Sequence, residues 1–168
     1  DQDENYLFEI IQQKNELIKI KNINNMKVIT ETEIDLSEVE HLIDLALNED
    51  IKSGDLTTEN LIAEDKKVKA YFKAKADGII AGLFIAEKVF KKLDSNIIWK
   101  AKYKDGAHVK KGDVLVEFSG SYRAILMGER TALNFVQRMS GVATKTSEFV
   151  KAIHGTKSQI LDTRKTLP

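Results

Sequence analysis

Four stretches of this sequence concentrate side chains able to do chemistry. Thr163-Arg164-Lys165-Thr166 sets two cations and two hydroxyls directly after the apolar pair Ile160-Leu161. In α/β architectures ligands bind beyond the carboxyl ends of strands. An Arg fork can grip a carboxylate or phosphate there, and an adjacent Lys adds a point charge. The same four residues would equally make a solvated turn, and spacing alone does not separate the two. Glu129-Arg130-Thr131-Ala132-Leu133-Asn134 places an arginine in an otherwise apolar helical pattern. Arg130 is then a surface residue, a partner of a neighbouring Glu, or an anion ligand. Asn134 follows four residues later on the same face.

Asp105 to Leu115 holds a short basic segment between Gly106 and Gly112. A carrier-domain hairpin displaying a modified lysine is one reading, and turn chemistry in a β-rich fold is the other. The turn is preferred, because no lysine stands at a hairpin tip between paired small or acidic residues. His108, His41 and His154 read as surface residues, with no second ligand at metal spacing. Glu49, Asp50 and Asp55 could suggest a cation site, but acids at a helix end and turn are usually solvated. There is no Walker loop, no dinucleotide-binding glycine fingerprint and no paired-histidine zinc motif.

The elements that must position these groups follow from periodicity. Residues 1–34 are rich in Asn, Gln, Lys and Glu and lack Gly and Pro, which suggests a helical or frayed N-terminal extension. Met26 offers a native start, which would put residues 1–25 outside the functional unit. Ser37 and Glu40 fit a capping box, and Val39, Leu42, Ile43, Ala46 and Leu47 then recur at helical spacing up to about Asp50. Val68, Ala70, Phe72, Ala74 and Ala76 alternate with polar positions, the signature of a half-buried strand. Asp77-Gly78 is a turn, Ile79 to Ala81 a strand-like run, and Ile85, Ala86, Val89, Phe90 and Leu93 a helix face. Ile97–Lys104 and Val114–Phe118 read as strands. Helices are expected from Tyr122 to Met139 and from Thr144 to Ile153, interrupted at Ser140-Gly141, with Gly155 near the second helix's end. Ile160-Leu161 opens a further strand.

Composition narrows the function classes. The 168 residues suit one domain or one and part of another, and fall short of the roughly 250 of a complete (β/α)₈ barrel. With 42% apolar and 31% charged residues a core can form. Lys plus Arg and Asp plus Glu both number 26, so charge gives no support for nucleic-acid binding. The absence of cysteine removes disulfides, thiol nucleophiles and thiolate zinc sites. No apolar run nears the ~20 residues of a membrane span, and no secretory signal pattern opens the chain. A cytoplasmic protein without membrane contact is expected.

Five segments in order resemble one family. They are Leu45-Ala46-Leu47-Asn48-Glu49-Asp50 with Gly54-Asp55-Leu56-Thr57-Thr58; Gly78-Ile79-Ile80-Ala81-Gly82; Asp105-Gly106 with Val109, Gly112 and Leu115; Glu129 to Asn134 with Ser140-Gly141-Val142-Ala143-Thr144; and Asp162 to Thr166. On these residues the chain is similar, from about residue 38 to 168, to quinolinate phosphoribosyltransferase, also called carboxylating nicotinate-nucleotide pyrophosphorylase. The resemblance implies an α+β protein: an N-terminal α/β domain over 35–121, then, over 122–168, a helical pair and the first strand of an incomplete α/β barrel. It implies a decarboxylating glycosyltransferase that joins quinolinate to phosphoribosyl pyrophosphate in NAD synthesis, releasing pyrophosphate and carbon dioxide. It implies Mg²⁺ accompanying the pyrophosphate substrate, and a homodimer whose active site lies between one subunit's barrel and its partner's N-terminal domain. Arg130 would reach across that interface, and Thr163, Arg164 and Lys165 would bind quinolinate from the barrel.

The family's later His-Arg pair, further lysine, magnesium-side carboxylates and phosphate loop have no counterpart in these residues. A fragment inactive alone, with open edges and poor solubility, is therefore expected. Three alternatives stand beside it. They are a related, molybdenum-associated paralogue with another acceptor, a non-catalytic dimerisation module pairing through the Arg130 helix, and the lysine carrier above.

Overall fold

The computed structural model of the chain describes residues 18–22, 25–28, 36–51 and 61–161. In chain order the elements are β1 (Ile18–Asn22), β2 (Asn25–Val28), α1 (Leu36–Ile51), β3 (Lys67–Lys73), β4 (Gly78–Ile79), α2 (Leu83–Leu93), β5 (Ile98–Ala101), β6 (His108–Val109), β7 (Val114–Ser121) and α3 (Tyr122–Ala152). Strands β3, β7 and β5 make an antiparallel sheet in that order, while β4 pairs with β6. The expected α+β class is what this arrangement is.

The alternation in β3 does what period two requires. Val68, Ala70 and Phe72 turn inward, while Lys67, Lys69, Tyr71 and Lys73 face solvent. Register then sets Ala70 opposite Phe118 and Trp99 opposite Phe118 from the other side. Phe72, Phe118 and Trp99 gather on one face with Phe90 of α2, with ring centroids 4.8 Å apart for Phe90–Phe118 and 5.3 Å for Phe72–Phe118. Tilted and edge-on aromatic pairs of this kind add about 0.5–1.5 kcal/mol each beyond their buried area. Phe90 has no solvent exposure.

Helices α2 and α3 cover that face. The predicted apolar stripe of α2 is buried at Ile85, Ala86, Val89 and Phe90. Ile125, Ala132 and Val136 of α3 belong to the same core. The two helices meet at Gly128, where a Cβ would come within 3.0 Å of Leu93 and Phe90. Only a glycine fits this approach without moving the core. Helix α1 docks on α2 through Lys88–Glu40 (3.0 Å) and through Lys92–Asp44, two pairs repeating at four-residue spacing on both helices. Ile43 and Leu47 of α1 are buried, whereas Leu42 is 55% exposed although it shares the predicted stripe. Helix α1 starts at Leu36, so Ser37 lies inside its first turn and Glu40 just beyond it. Glu40 pairs with Lys88.

Two expectations are corrected. Residues 18–22 and 25–28 form an antiparallel strand pair with Ile18 opposite Val28 and Ile20 opposite Met26, not a helix. Ile18-Lys19-Ile20-Lys21 alternates with period two, the pattern of a strand. The second correction is the helix break at Ser140-Gly141, because α3 runs unbroken for 31 residues. A mid-helix glycine weakens a helix by about 1 kcal/mol relative to alanine, which does not stop one anchored by packing. Gly141 faces open space, and Ser140 and Thr144 face β4.

Candidate functional site

Ser121 ends β7 and also caps α3, its side chain accepting from the Ala124 N–H at 3.4 Å. That junction fixes where α3 starts and therefore which residues it buries. Gly128, Thr131 and Ala132 lie against the core, so the intervening Arg130 is turned outward. Its side chain is 77% exposed. The guanidinium is nonetheless held. Its NH1 donates to Asp50 Oδ1 at 2.8 Å, and Thr131 Oγ1 lies 3.5 Å from Asp50 Oδ2.

Of the three readings open for Arg130, the structure shows a surface residue whose ion-pair partner is an aspartate on another helix and not a neighbouring Glu. Asn134 is exposed one turn further along α3. Asp50 was the residue sequence reasoning passed over as a solvated acid. Its signal was electrostatic: it sits in the last turn of α1, which contains no basic residue, where the helix dipole disfavours a negative charge.

Thr163, Arg164 and Lys165 lie outside the described residues, as do Gly54 to Thr58. Arg130 is therefore the one proposed substrate-binding residue that the described residues include. The other motifs meet elsewhere, and they meet each other. The backbone of Ile79 and Ala81 runs beside α3. The Ile79 N–H donates to Thr144 Oγ1 at 2.8 Å and the Ala81 N–H to Ser140 Oγ at 3.0 Å. The Ser140 hydroxyl in turn donates to the Ala81 carbonyl at 3.2 Å. Two hydroxyls four residues apart on a helix thereby serve alternate residues of an extended segment.

Gly82 then turns the chain with φ +92, a left-handed conformation suited to glycine. Asp105 closes the start of α2, accepting from the N–H groups of Gly82 (2.7 Å) and Leu83 (3.1 Å). Burial of this carboxylate against the helix end pushes its pKa above the ordinary value, and the two N–H donors offset part of that rise. The residue as a whole is exposed.

The segment from Asp105 to Leu115 is turn and short strand. His108 is exposed in β6, and Asp113 accepts from Tyr103 Oη at 2.8 Å and from the Lys110 N–H at 2.9 Å. Those contacts hold the Asp113 pKa below its usual range, led by the Lys110 N–H. An open groove of about 850 Å³ runs between β3 and α3, lined by Phe72, Ala74, Ile80, Ile125, Leu133 and Val136. Its lining is mainly apolar, and Arg130 does not line it. Lys73, Lys75 and Lys145 also border it.

His41 and His154 are exposed, as expected. Among the described residues no group of three His, Asp or Glu stands close enough to hold a metal ion. Among the same residues no helix is long and apolar enough to cross a membrane.

Comparison with known proteins bears on what this arrangement belongs to. A protein from Bacillus subtilis described as a probable carboxylating nicotinate-nucleotide pyrophosphorylase is 42% identical over 120 residues, 71% of this chain and 41% of that protein. A chloroplastic carboxylating nicotinate-nucleotide pyrophosphorylase from Arabidopsis thaliana is 42% identical over 132 residues, 78% of this chain and 37% of that protein. The crystal structure of NadC from Streptococcus pyogenes superposes with a TM-score of 0.77 at 34% identity, covering 80% of this chain and 48% of that one. The nicotinate-nucleotide pyrophosphorylase of Francisella tularensis gives 0.75 at 38% identity with the same coverage. The chain thus spans about two fifths of the length of these curated relatives. The family model described as quinolinate phosphoribosyl transferase, N-terminal domain, matches residues 55–140, half of the sequence, and the chain belongs to that family.

Proposed function

We propose that this chain is the N-terminal part of an enzyme that joins quinolinate to phosphoribosyl pyrophosphate, yielding nicotinate mononucleotide, pyrophosphate and carbon dioxide for NAD synthesis. The observation that carries the site assignment is Arg130, whose side chain is 77% exposed and, among the described residues, tied at one nitrogen. Quinolinate bears two adjacent carboxylates. Removing both from water requires several fixed cations with hydrogen-bonding donors.

In the proposed arrangement Arg130 grips one carboxylate across the interface of a homodimer. Thr163, Arg164 and Lys165 bind the same molecule from the partner's barrel, into which residues 122–168 lead from the 35–121 domain. The ring nitrogen is then aimed at the ribose carbon. Displacement there passes through an oxocarbenium-like state, so the enzyme acts chiefly by positioning and charge stabilisation. Family members use Mg²⁺ with the pyrophosphate substrate. The described residues offer no cluster that would hold it. The substrates are small, charged and water-soluble, and the cytoplasm is the proposed compartment.

The test is product formation. A complete enzyme carrying this chain, given both substrates and magnesium, is expected to form nicotinate mononucleotide, and the 168-residue chain alone is expected to form none above the enzyme-free rate. A complete enzyme inert towards quinolinate but active on another acceptor would replace this reading with that of the paralogue.

A further inference from the structure

We infer that Asp50 is the positioning residue for Arg130, fixing the guanidinium so that its free edge meets the substrate carboxylate. The inference rests on the proposed role of Arg130. A carboxylate beside a substrate-binding arginine can act in two opposite ways. It can hold the arginine ready, or it can occupy the arginine as a latch that the substrate must displace.

The geometry separates the two. The acid is the covered partner, at 19% side-chain exposure, and the arginine the open one, at 77%. A latch would cover the guanidinium. Here one nitrogen, NH1, meets Asp50, and a guanidinium has five N–H donors in a rigid fork. The second oxygen of Asp50 lies 3.5 Å from the buried Thr131 hydroxyl of the arginine's own helix. Consecutive residues of α3 thus approach both oxygens, Arg130 by a short bond and Thr131 by a long contact.

Nor is this charge α1's only tie to the core: Ile43 and Leu47 are buried, and Lys88–Glu40 and Lys92–Asp44 bridge α1 to α2. The helix dipole disfavours an acid at the position Asp50 occupies. What remains is the placement of an otherwise free, rotamer-rich side chain.

The experiment is a double-mutant cycle in a complete enzyme carrying this chain, with Asp50→Ala, Asp50→Asn, Arg130→Ala and the Asp50→Ala/Arg130→Ala pair. KM for each substrate, kcat and melting temperature are measured for all. Asp50→Ala is expected to raise the quinolinate KM about tenfold, with kcat and the phosphoribosyl pyrophosphate KM within about twofold of the parent. Asp50→Asn, which keeps an acceptor oxygen, is expected to raise it about threefold. In the Arg130→Ala background, Asp50→Ala should add nothing.

A full Asp50→Ala effect in that background would mean that Asp50 acts through the fold and not through Arg130, overturning the inference. A fall in quinolinate KM would mean a latch, with the same consequence. An unaltered quinolinate KM in Arg130→Ala alone would instead remove the proposed role of Arg130, and the inference with it. Asp50→Asn preserves shape, so it reports on positioning even where Asp50→Ala lowers stability.

Discussion

The junction of β4 with α3 and the junction of α1 with α3 are both built from motif residues, yet they leave their polar groups in different states. At the first, Ser140 and Thr144 are occupied by the backbone of Ile79 and Ala81, and Asp105 is occupied by the start of α2. Every one of these groups has its partner inside the protein. At the second, Arg130 uses one donor on Asp50 and, among the described residues, leaves the rest of an exposed guanidinium unpaired. Polar groups saturated internally hold a scaffold together. A cation held still and left unsaturated is available to a ligand. Resemblance alone does not distinguish the two kinds of motif residue, and the hydrogen-bond inventory does.

Perturbing each region should therefore separate stability from chemistry. The largest loss of stability is expected at the aromatic cluster behind both junctions. Phe90→Ala, at a side chain with no exposure, should destabilise by about 3–5 kcal/mol, read as a lower urea midpoint. Ser140→Ala with Thr144→Val comes next. It strands the part-buried N–H groups of Ile79 and Ala81, at about 1–3 kcal/mol for each group if fully unsatisfied and towards the low end where water reaches. An unchanged midpoint in that double variant would show that these hydroxyls are dispensable, and the contrast would fail on its scaffold side.

A smaller, pH-dependent effect belongs to Asp94. The Ser121 N–H, then the Asn96 N–H, hold its pKa below the ordinary value. A carboxylate depressed in the folded state contributes stability that is complete above its unfolded pKa and lost as pH falls through the folded one. Asp94→Asn should thus flatten the loss of stability below about pH 4 and change little at pH 7 in slope. Urea midpoints measured across that range would show it, and parallel curves for parent and variant would contradict it.

Much of the scaffold was legible because local pattern and burial coincide. Ile85, Ala86, Val89 and Phe90 recur at helical spacing and are buried, and β3 alternates as its sequence does. Other features depended on distant residues. Ser140-Gly141 looked like a break because a glycine weakens any helix. What keeps α3 continuous there is a packed core below and an extended segment 59 residues away bonded to Ser140. Leu42 shares the apolar stripe of α1 yet is left uncovered by the described residues.

The candidate site was half legible. Arg130 could be picked out by its motif, but its partner Asp50 lies 80 residues earlier. No periodicity connects a helix end to a position on another helix. Thr163, Arg164 and Lys165 remain a proposal carried by the family resemblance.

The most direct measurement compares Arg130→Ala with its parent in a complete enzyme, recording kcat/KM for quinolinate and melting temperature on the same preparations. An exposed ion pair contributes about 0–1 kcal/mol to folding, whereas a lost charge-assisted grip on a desolvated carboxylate lowers kcat/KM on the order of a hundredfold or more. The account predicts that larger loss of activity, with melting within about 3 °C of the parent. Full activity towards quinolinate in Arg130→Ala, or a loss that merely tracks unfolding, would contradict it.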